Sequence, residues 1–289
     1  MLPDLHTAYS NGVAISVDER HFAPLPDSTD LLGDPRALRR RFQEAGVVRL
    51  RGVLSPSTVI GLRRSYLSTL PPGMIMPGTP LEEGVFSGHI PDRLPAHGVA
   101  GHPAHTFVRS AEFTSFIGDP ALTRLAETLL GGAARLLPRR ILRHFYAGSD
   151  RASRAHTDYA YMDQGTENAV TMWIPIGDCP FECGGLVYLE NSHTVTQERL
   201  DTVRERSDRP GDSRPLSHDL GWTARTLGLR WLWADYRAGD VVVHSPHVVH
   251  ASLDSWSKRM RVSADVRFVR DGEAVDSRWT KQWSGDDGA

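Results

Sequence analysis

The sequence predicts a β-rich fold, an antiparallel sandwich or barrel with helices flanking it on the N-terminal side. Three observations carry this expectation. Short runs rich in Val, Ile, Leu and aromatic residues at 134–137, 141–146, 169–176, 185–190, 239–244 and 261–268, with a further segment around His156, succeed one another with turn residues between them. Helical periodicity is confined to the stretches before residue 131. A length of 289 residues, 40% hydrophobic, is enough for one large β-rich domain.

Taken in order, residues 1–30 mix Pro, Asp and small polar residues without sustained periodicity and read as an arm packed on the domain. Asp34-Pro35 supplies an N-cap and an N1 proline for a helix to about Glu44, closed by Gly46. Val47-Val48-Arg49-Leu50-Arg51 alternates as a strand does, and Ser55-Pro56 predicts a second capped helix to about Leu70. Residues 71–104, broken by Pro71-Pro72-Gly73, Pro77-Gly78 and Gly98, form a loop long enough to be part of a pocket wall. Asp119-Pro120 starts a third helix whose leucines recur at helical spacing, ended by Gly131-Gly132. The strands follow, interrupted at 194–228, where the very polar run 204–212 reads as a solvated loop or a lid.

Composition excludes several function classes. A formal net charge of −2 and a pI near 6.7 supply no basic field for nucleic acid or an anionic membrane. No signal-like leader or 18-residue apolar run is present, so the expectation is a cytoplasmic protein, monomeric or homodimeric, acting on a small-molecule substrate. Cys179 and Cys183 lack further zinc ligands nearby and read as reduced structural thiols.

The candidate site is built on Arg154-Ala155-His156-Thr157-Asp158-Tyr159. In an extended strand His156 and Asp158 share a face, and an imidazole beside a carboxylate is two thirds of the 2-His-1-carboxylate set that holds non-haem Fe(II). With thirteen histidines in the chain, chance alone supplies about one His-x-Asp, so the pair needs support. That support is Gly239-Asp240 through His244-Ser245-Pro246-His247-Val248-Val249-His250-Ala251-Ser252. His244 ends an apolar strand, Pro246 puts His247 in a turn, and His250 follows a fresh apolar pair and can re-enter the sheet facing inward. Arg261 opens the next strand, and a guanidinium fork in a β-walled pocket suits a bidentate carboxylate.

These motifs resemble the phytanoyl-CoA dioxygenase family of Fe(II)/2-oxoglutarate oxygenases over about residues 46–278. The likeness is carried by Gly46-Val47-Val48-Arg49-Leu50-Arg51-Gly52-Val53-Leu54, by His156-Thr157-Asp158-Tyr159, and by Trp173-Ile174-Pro175. It continues through Gly184-Gly185-Leu186, Asn191-Ser192-His193, with Asn191 where the family has Gly, and residues 239–261. The resemblance implies a double-stranded β-helix core, a jelly-roll of cupin type, in a single dioxygenase domain. It further implies His156, Asp158 and His250 as iron ligands, Arg261 as partner of the 2-oxoglutarate C5 carboxylate, and Ser252 and Trp173 as further cosubstrate contacts. One family contact before the His-x-Asp segment has Arg143, His144 and Tyr146 as candidates, and His193 reads as a hydrogen-bonding residue of a turn. The cofactors implied are Fe(II), 2-oxoglutarate and O2.

The chemistry implied is hydroxylation of an unactivated C–H with release of succinate and CO2, because Asp158 fills the position that related halogenases leave to chloride. Desaturation, epoxidation and cyclisation draw on the same oxidation. Two other classes stand beside it: a cupin-like Zn or Mn hydrolase or isomerase, which leaves Arg261 without a role, and a non-catalytic 2-oxoglutarate-binding module. The pocket walls are expected from residues 71–104 and 194–228 and from the C-terminal tail around Trp279 and Trp283.

Overall fold

The computed structural model describes residues 6–92, 94–149, 152–161, 165–207 and 211–285, so part of the polar run 204–212 lies outside the described residues. The chain opens with β1 (Thr7–Ser10), β2 (Val13–Ser16), β3 (Phe22–Pro24), α1 (Pro35–Ala45), β4 (Val47–Leu50) and α2 (Pro56–Leu67). There follow α3 (Pro103–Phe107), α4 (Ala111–Ile117), α5 (Pro120–Leu130), β5 (Ala134–Leu136), β6 (Ile141–Phe145) and β7 (Ala169–Pro175). The remainder is β8 (Leu186–Leu189), α6 (Gln197–Asp201), α7 (Leu220–Leu227), β9 (Trp231–Trp233), β10 (Val241–His244), β11 (His250–Ser252) and β12 (Arg261–Arg270).

Two sheets carry the site. The larger runs β4-β10-β7-β12-β5, with β6 also on β12, and the smaller runs β11-β8-β9-β3. Along each strand the pleat sends alternate residues to opposite faces. Val241 and Val243 of β10, Met172 and Ile174 of β7, and Val262, Ala264, Val266 and Phe268 of β12 join a core shared with α1, α2, α4 and α5. Val187, Leu189, Trp231, Trp233 and Ala251, on the outer face of the smaller sheet, pack with β2 and α7. Between the sheets lie Trp173, Val242, Leu186 and Tyr188. This is the jelly-roll arrangement expected, with the inner faces left for polar residues at one end.

The local signals explain most boundaries. The Asp34 carboxylate accepts from the Arg36 and Ala37 amides, and Gly46 at φ 71° closes α1. A Cβ at Gly46 would stand 2.5 Å from the Val248 side chain and 2.7 Å from His193, so glycine here also permits close packing on the turn before His250. Ser55 differs from expectation: its hydroxyl meets that of Ser57 at 2.8 Å rather than capping α2, which ends at Leu67. The N-terminal arm is more regular than predicted. Asn11 and Gly12, both at positive φ, make the tight turn joining β1 to β2, a hairpin signal present in the sequence. Asp254 accepts from both their amides at 2.9 and 2.8 Å. β3 then adds to β9 in parallel. Residues 194–228, expected as a loop, contain α6 and α7. Asp219 caps α7 through the Trp222 amide at 2.7 Å, and Leu220, Thr223, Ala224 and Leu227 form its buried stripe.

Candidate metal centre and cosubstrate pocket

The segment around His156 is not the strand the sequence predicts. Ala155 and His156 make single antiparallel bridges, to Ser217 and His250, and the chain then tightens into a 3₁₀ turn, Asp158–Tyr161. The His156 amide donates to the His250 carbonyl at 3.1 Å and the His250 amide to His156 at 2.9 Å. This reciprocal pair sets the two rings 4.2 Å apart, while the 3₁₀ turn swings Asp158 back toward them. Ligand atoms of His156, Asp158 and His250 lie within 4.8 Å of one another, with Asp158 Oδ1 3.9 Å from His156 Nε2 and 3.8 Å from His250 Nε2. His156 Nδ1 donates to the Arg154 carbonyl at 2.6 Å and His250 Nδ1 to Val248 at 3.1 Å, which leaves both Nε2 lone pairs for a metal.

Asp158 is held on all sides. Oδ1 accepts from Arg267 Nη2 at 2.9 Å, Oδ2 accepts from the Thr171 hydroxyl at 2.5 Å, and His244 Nε2 stands 3.4 Å from Oδ2. Burial by itself raises such a carboxyl, yet Arg267, His244 and His250 hold it well below the usual range. Burial pushes the His156 imidazole down, with Asp158 partly opposing, and burial with His156 and His244 drives His250 well below its ordinary value. All three residues are therefore in the ligating protonation state at neutral pH. His247 stands apart in its turn, beside Tyr159 and Glu167. His193 lies in a 3₁₀ turn, hydrogen-bonded to the backbone of Gln43.

Arg261 is buried on the inner face, its guanidinium 4.0 Å from the Phe145 ring centroid and donating to the Gly184 carbonyl. The Ser252 hydroxyl accepts from the Ser153 amide at 2.7 Å, and Trp173 packs edge-on to Tyr236 at 4.8 Å. Both are buried between the sheets rather than in the three-residue cluster. Strand parity decides among the candidates in β6. Arg143 pairs with Ser263 and Phe145 with Arg261 on the inner face, whereas His144 faces away and meets the Tyr66 hydroxyl at 2.7 Å. Tyr146 stacks on Phe86 at 4.6 Å.

Among the described residues several buried polar atoms on the inner faces lack hydrogen-bond partners: Tyr188 Oη, Ser263 Oγ, Arg261 Nε, and Arg267 Nε and Nη1. Each such atom costs about 1–3 kcal/mol when left unsatisfied. A dicarboxylic oxo acid brings oxygen acceptors to these donors, so the residues fit a metal with 2-oxoglutarate. A cavity of about 870 Å³ opens onto His156, Asp158 and Arg267. Its walls include Leu94, His97, Arg214 and Trp279, while Trp283 is buried edge-on against His105.

Arg267 and Thr171 were not anticipated from sequence, although β12 displays the signal: Arg261, Ser263, Asp265 and Arg267 alternate onto one face. A second histidine group, His97, His102 and His144, also has ligand atoms within 4.8 Å. Two of its lone pairs are engaged, because the His144 amide donates to His97 Nε2 and the Ala104 amide to His102 Nδ1, each at 3.1 Å. Cys179 and Cys183 are free and buried, as expected of structural thiols. Among the described residues no helix is long and apolar enough to cross a membrane.

Solved structures share this fold. A non-heme alpha ketoglutarate dependent carbocyclase, SnoK from nogalamycin biosynthesis, is 19% identical over 86% of this chain and 88% of its own, with a TM-score of 0.59. The epimerase SnoN, solved with Fe3+, alpha ketoglutarate and nogalamycin RO, is 18% identical over 84% and 86%, with a TM-score of 0.57. EvdO2 from Micromonospora carbonacea var. aurantiaca, complexed with 2-oxoglutarate, is 18% identical over 85% and 96%, with a TM-score of 0.54. The family model for phytanoyl-CoA dioxygenase matches residues 42–263, a span that holds the whole His156, Asp158, His250 cluster and Arg261, and the chain belongs to that family.

Proposed function

We propose that this iron- and 2-oxoglutarate-dependent enzyme hydroxylates an unactivated C–H bond of a small molecule, in secondary metabolism. The observation that carries the reading is the convergence of two Nε2 lone pairs and one ionised carboxylate, each fixed by a hydrogen bond on its other atom. In this reading His156, Asp158 and His250 hold Fe(II), Arg261 binds the distal carboxylate of 2-oxoglutarate, and Ser252 and Trp173 flank the cosubstrate. Iron with 2-oxoglutarate and O2 supplies the oxidising power, with succinate and CO2 as coproducts. The chain's own contribution is to keep one face of the metal open, to exclude bulk water from a cluster buried between two sheets, and to place the substrate C–H in the adjoining cavity.

Asp158 occupies a ligand position, which supports hydroxylation over halogenation. The similar folds of an alpha ketoglutarate dependent epimerase and carbocyclase support a second reading, in which the outcome at the substrate carbon is epimerisation or ring closure. The substrate is a small molecule in the cytoplasm, met by a monomer or homodimer, and the near-zero net charge supports the exclusion of nucleic acid and anionic membranes.

Anaerobic addition of Fe(II) and 2-oxoglutarate tests the metal assignment through the visible charge-transfer band of a chelated oxo acid; a band that His156→Ala leaves unchanged refutes it. Incubation of candidate metabolites with Fe(II), ascorbate and 2-oxoglutarate then separates outcomes by mass. A gain of one oxygen marks hydroxylation, a loss of two hydrogens cyclisation, and an unchanged mass with succinate release epimerisation.

A further inference from the structure

We propose that Arg267 and Trp279 form a positioning unit that fixes the Asp158 carboxylate and offers the free guanidinium N–H groups to the carboxylate next to the keto carbon of 2-oxoglutarate. The inference rests on the functional reading above. Both residues lie beyond the 42–263 span matched by the family model, so the match itself assigns them nothing.

The geometry has three parts. Arg267 Nη2 bonds Asp158 Oδ1, the same oxygen that faces both histidine Nε2 atoms, so the guanidinium stands at the metal-facing edge of the cluster. Its Nε and Nη1 are buried without a hydrogen-bond partner among the described residues, and the side chain is only 7% exposed. The other carboxylate on the same strand face, Asp265, is 3.8 Å from Arg143. Among the described residues no acceptor bonds these two Arg267 nitrogens, so they are placed to take an anion that arrives with the ligand, and a charge-assisted bond is the strong kind. A 2-oxo acid chelating a metal held by Asp158 would do so through its keto oxygen and the adjacent carboxylate, so that carboxylate is the anion these donors would meet.

Trp279 holds this arrangement from the C-terminal side. The Arg267 guanidinium sits 3.9 Å from the centroid of its ring, within the range of a cation–π contact. Its indole Nε1 donates at 3.0 Å to the carbonyl of Tyr161, the last residue of the 3₁₀ turn that begins at Asp158. One side chain thus braces both the arginine and the turn that carries the metal-ligating acid. Arg261 and Arg267 share a face six residues apart, about 20 Å along an extended strand, which is too far for one to do the work of the other.

The test uses Mn(II)-loaded full-length protein, titrated calorimetrically with 2-oxoglutarate and with 2-oxopentanoate, which lacks the distal carboxylate. Arg267→Gln is expected to weaken both ligands at least tenfold and leave their ratio intact, whereas Arg261→Gln collapses the ratio. Trp279→Ala should weaken both several-fold, and Trp279→Phe, which keeps a ring under the guanidinium but loses the indole N–H, should restore only part of the loss. In the anaerobic Fe(II) complex, Arg267→Gln should shift the charge-transfer band, a readout that a merely structural role would not move. Arg267→Lys and Trp279→Ala carry the test if Arg267→Gln does not fold. Arg267→Gln or Arg267→Lys binding both oxo acids within twofold of wild type overturns this inference alone. Wild-type protein that binds neither overturns the oxygenase reading and this inference with it.

Discussion

Lowering the pH from 7.5 to 5 should destabilise the metal-free protein through imidazoles that the fold keeps neutral. Burial holds His102 at about 4 and His144 at about 3, against an ordinary value of 6.5, and it depresses His97 in the same direction. A histidine with a depressed folded value adds stability that is fully present above 6.5. That stability is lost as the pH falls, because the unfolded chain takes up protons that the fold refuses. At pH 5 the linkage amounts to about 2 kcal/mol for each of His102 and His144, or about 4 kcal/mol for the pair. For a chain of this length that corresponds to a fall in Tm of about 7 °C. Asp240 and Asp265, whose carboxyls burial raises, act in the opposite sense, so the variants rather than the bare slope are decisive. The assay is thermal unfolding followed by circular dichroism in chelator across that pH range, for wild type and for His102→Asn with His144→Asn. The double variant should lose about 4 kcal/mol of the dependence, and the remainder belongs to His97, His156 and His250, which burial also depresses. Equal slopes for the two proteins would refute the assignment of these rings as buried and neutral.

Four further outcomes follow from particular contacts. Asp158→Ala should abolish Mn(II) binding and, by leaving Arg267 buried without its carboxylate, cost about 3–5 kcal/mol of stability, read from denaturant unfolding. Thr171→Val removes the hydroxyl that bonds Asp158 Oδ2 and should weaken Mn(II) about tenfold, from a hydrogen bond to a charged group of about 1.5–3 kcal/mol; an unchanged titration would show that this bond does not orient the ligand. Gly184→Ala places a Cβ 2.3 Å from the Leu253 carbonyl at φ 70° and displaces the carbonyl that Arg261 donates to, so 2-oxoglutarate affinity and Tm should fall together. Burial raises both thiols, Cys179 and Cys183, so neither should react with a disulfide reagent until denaturant is added.

Much of the candidate site was legible in one dimension because its residues sit beside strong local signals. His250 is the first residue after an apolar pair that re-enters a sheet, and Arg261 opens a strand whose partner residues all obey the two-residue pleat. The same pleat would have singled out Arg267 and excluded His144 from the inner face, had parity been followed to the ends of β12 and β6. Asn11-Gly12 likewise announces the first hairpin, and Asp219 with Leu220, Thr223, Ala224 and Leu227 announces α7; both were obscured by polar surroundings.

The sequence by itself determined the strand periods, the helix caps at Asp34 and Asp119, the three side chains that converge as candidate ligands and the family, since each is written in the order and spacing of neighbouring residues. Tertiary structure alone decided how His156 and Asp158 meet His250. The extended segment expected there is a single bridge followed by a 3₁₀ turn, because its hydrogen-bond partners, His250 and Ser217, stand 94 and 62 residues away in the chain. The brace on Asp158 was decided the same way, with Thr171, Arg267 and Trp279 arriving from three separate segments. No local propensity encodes such contacts; they exist only once the two sheets have closed and burial makes every unpaired polar group costly.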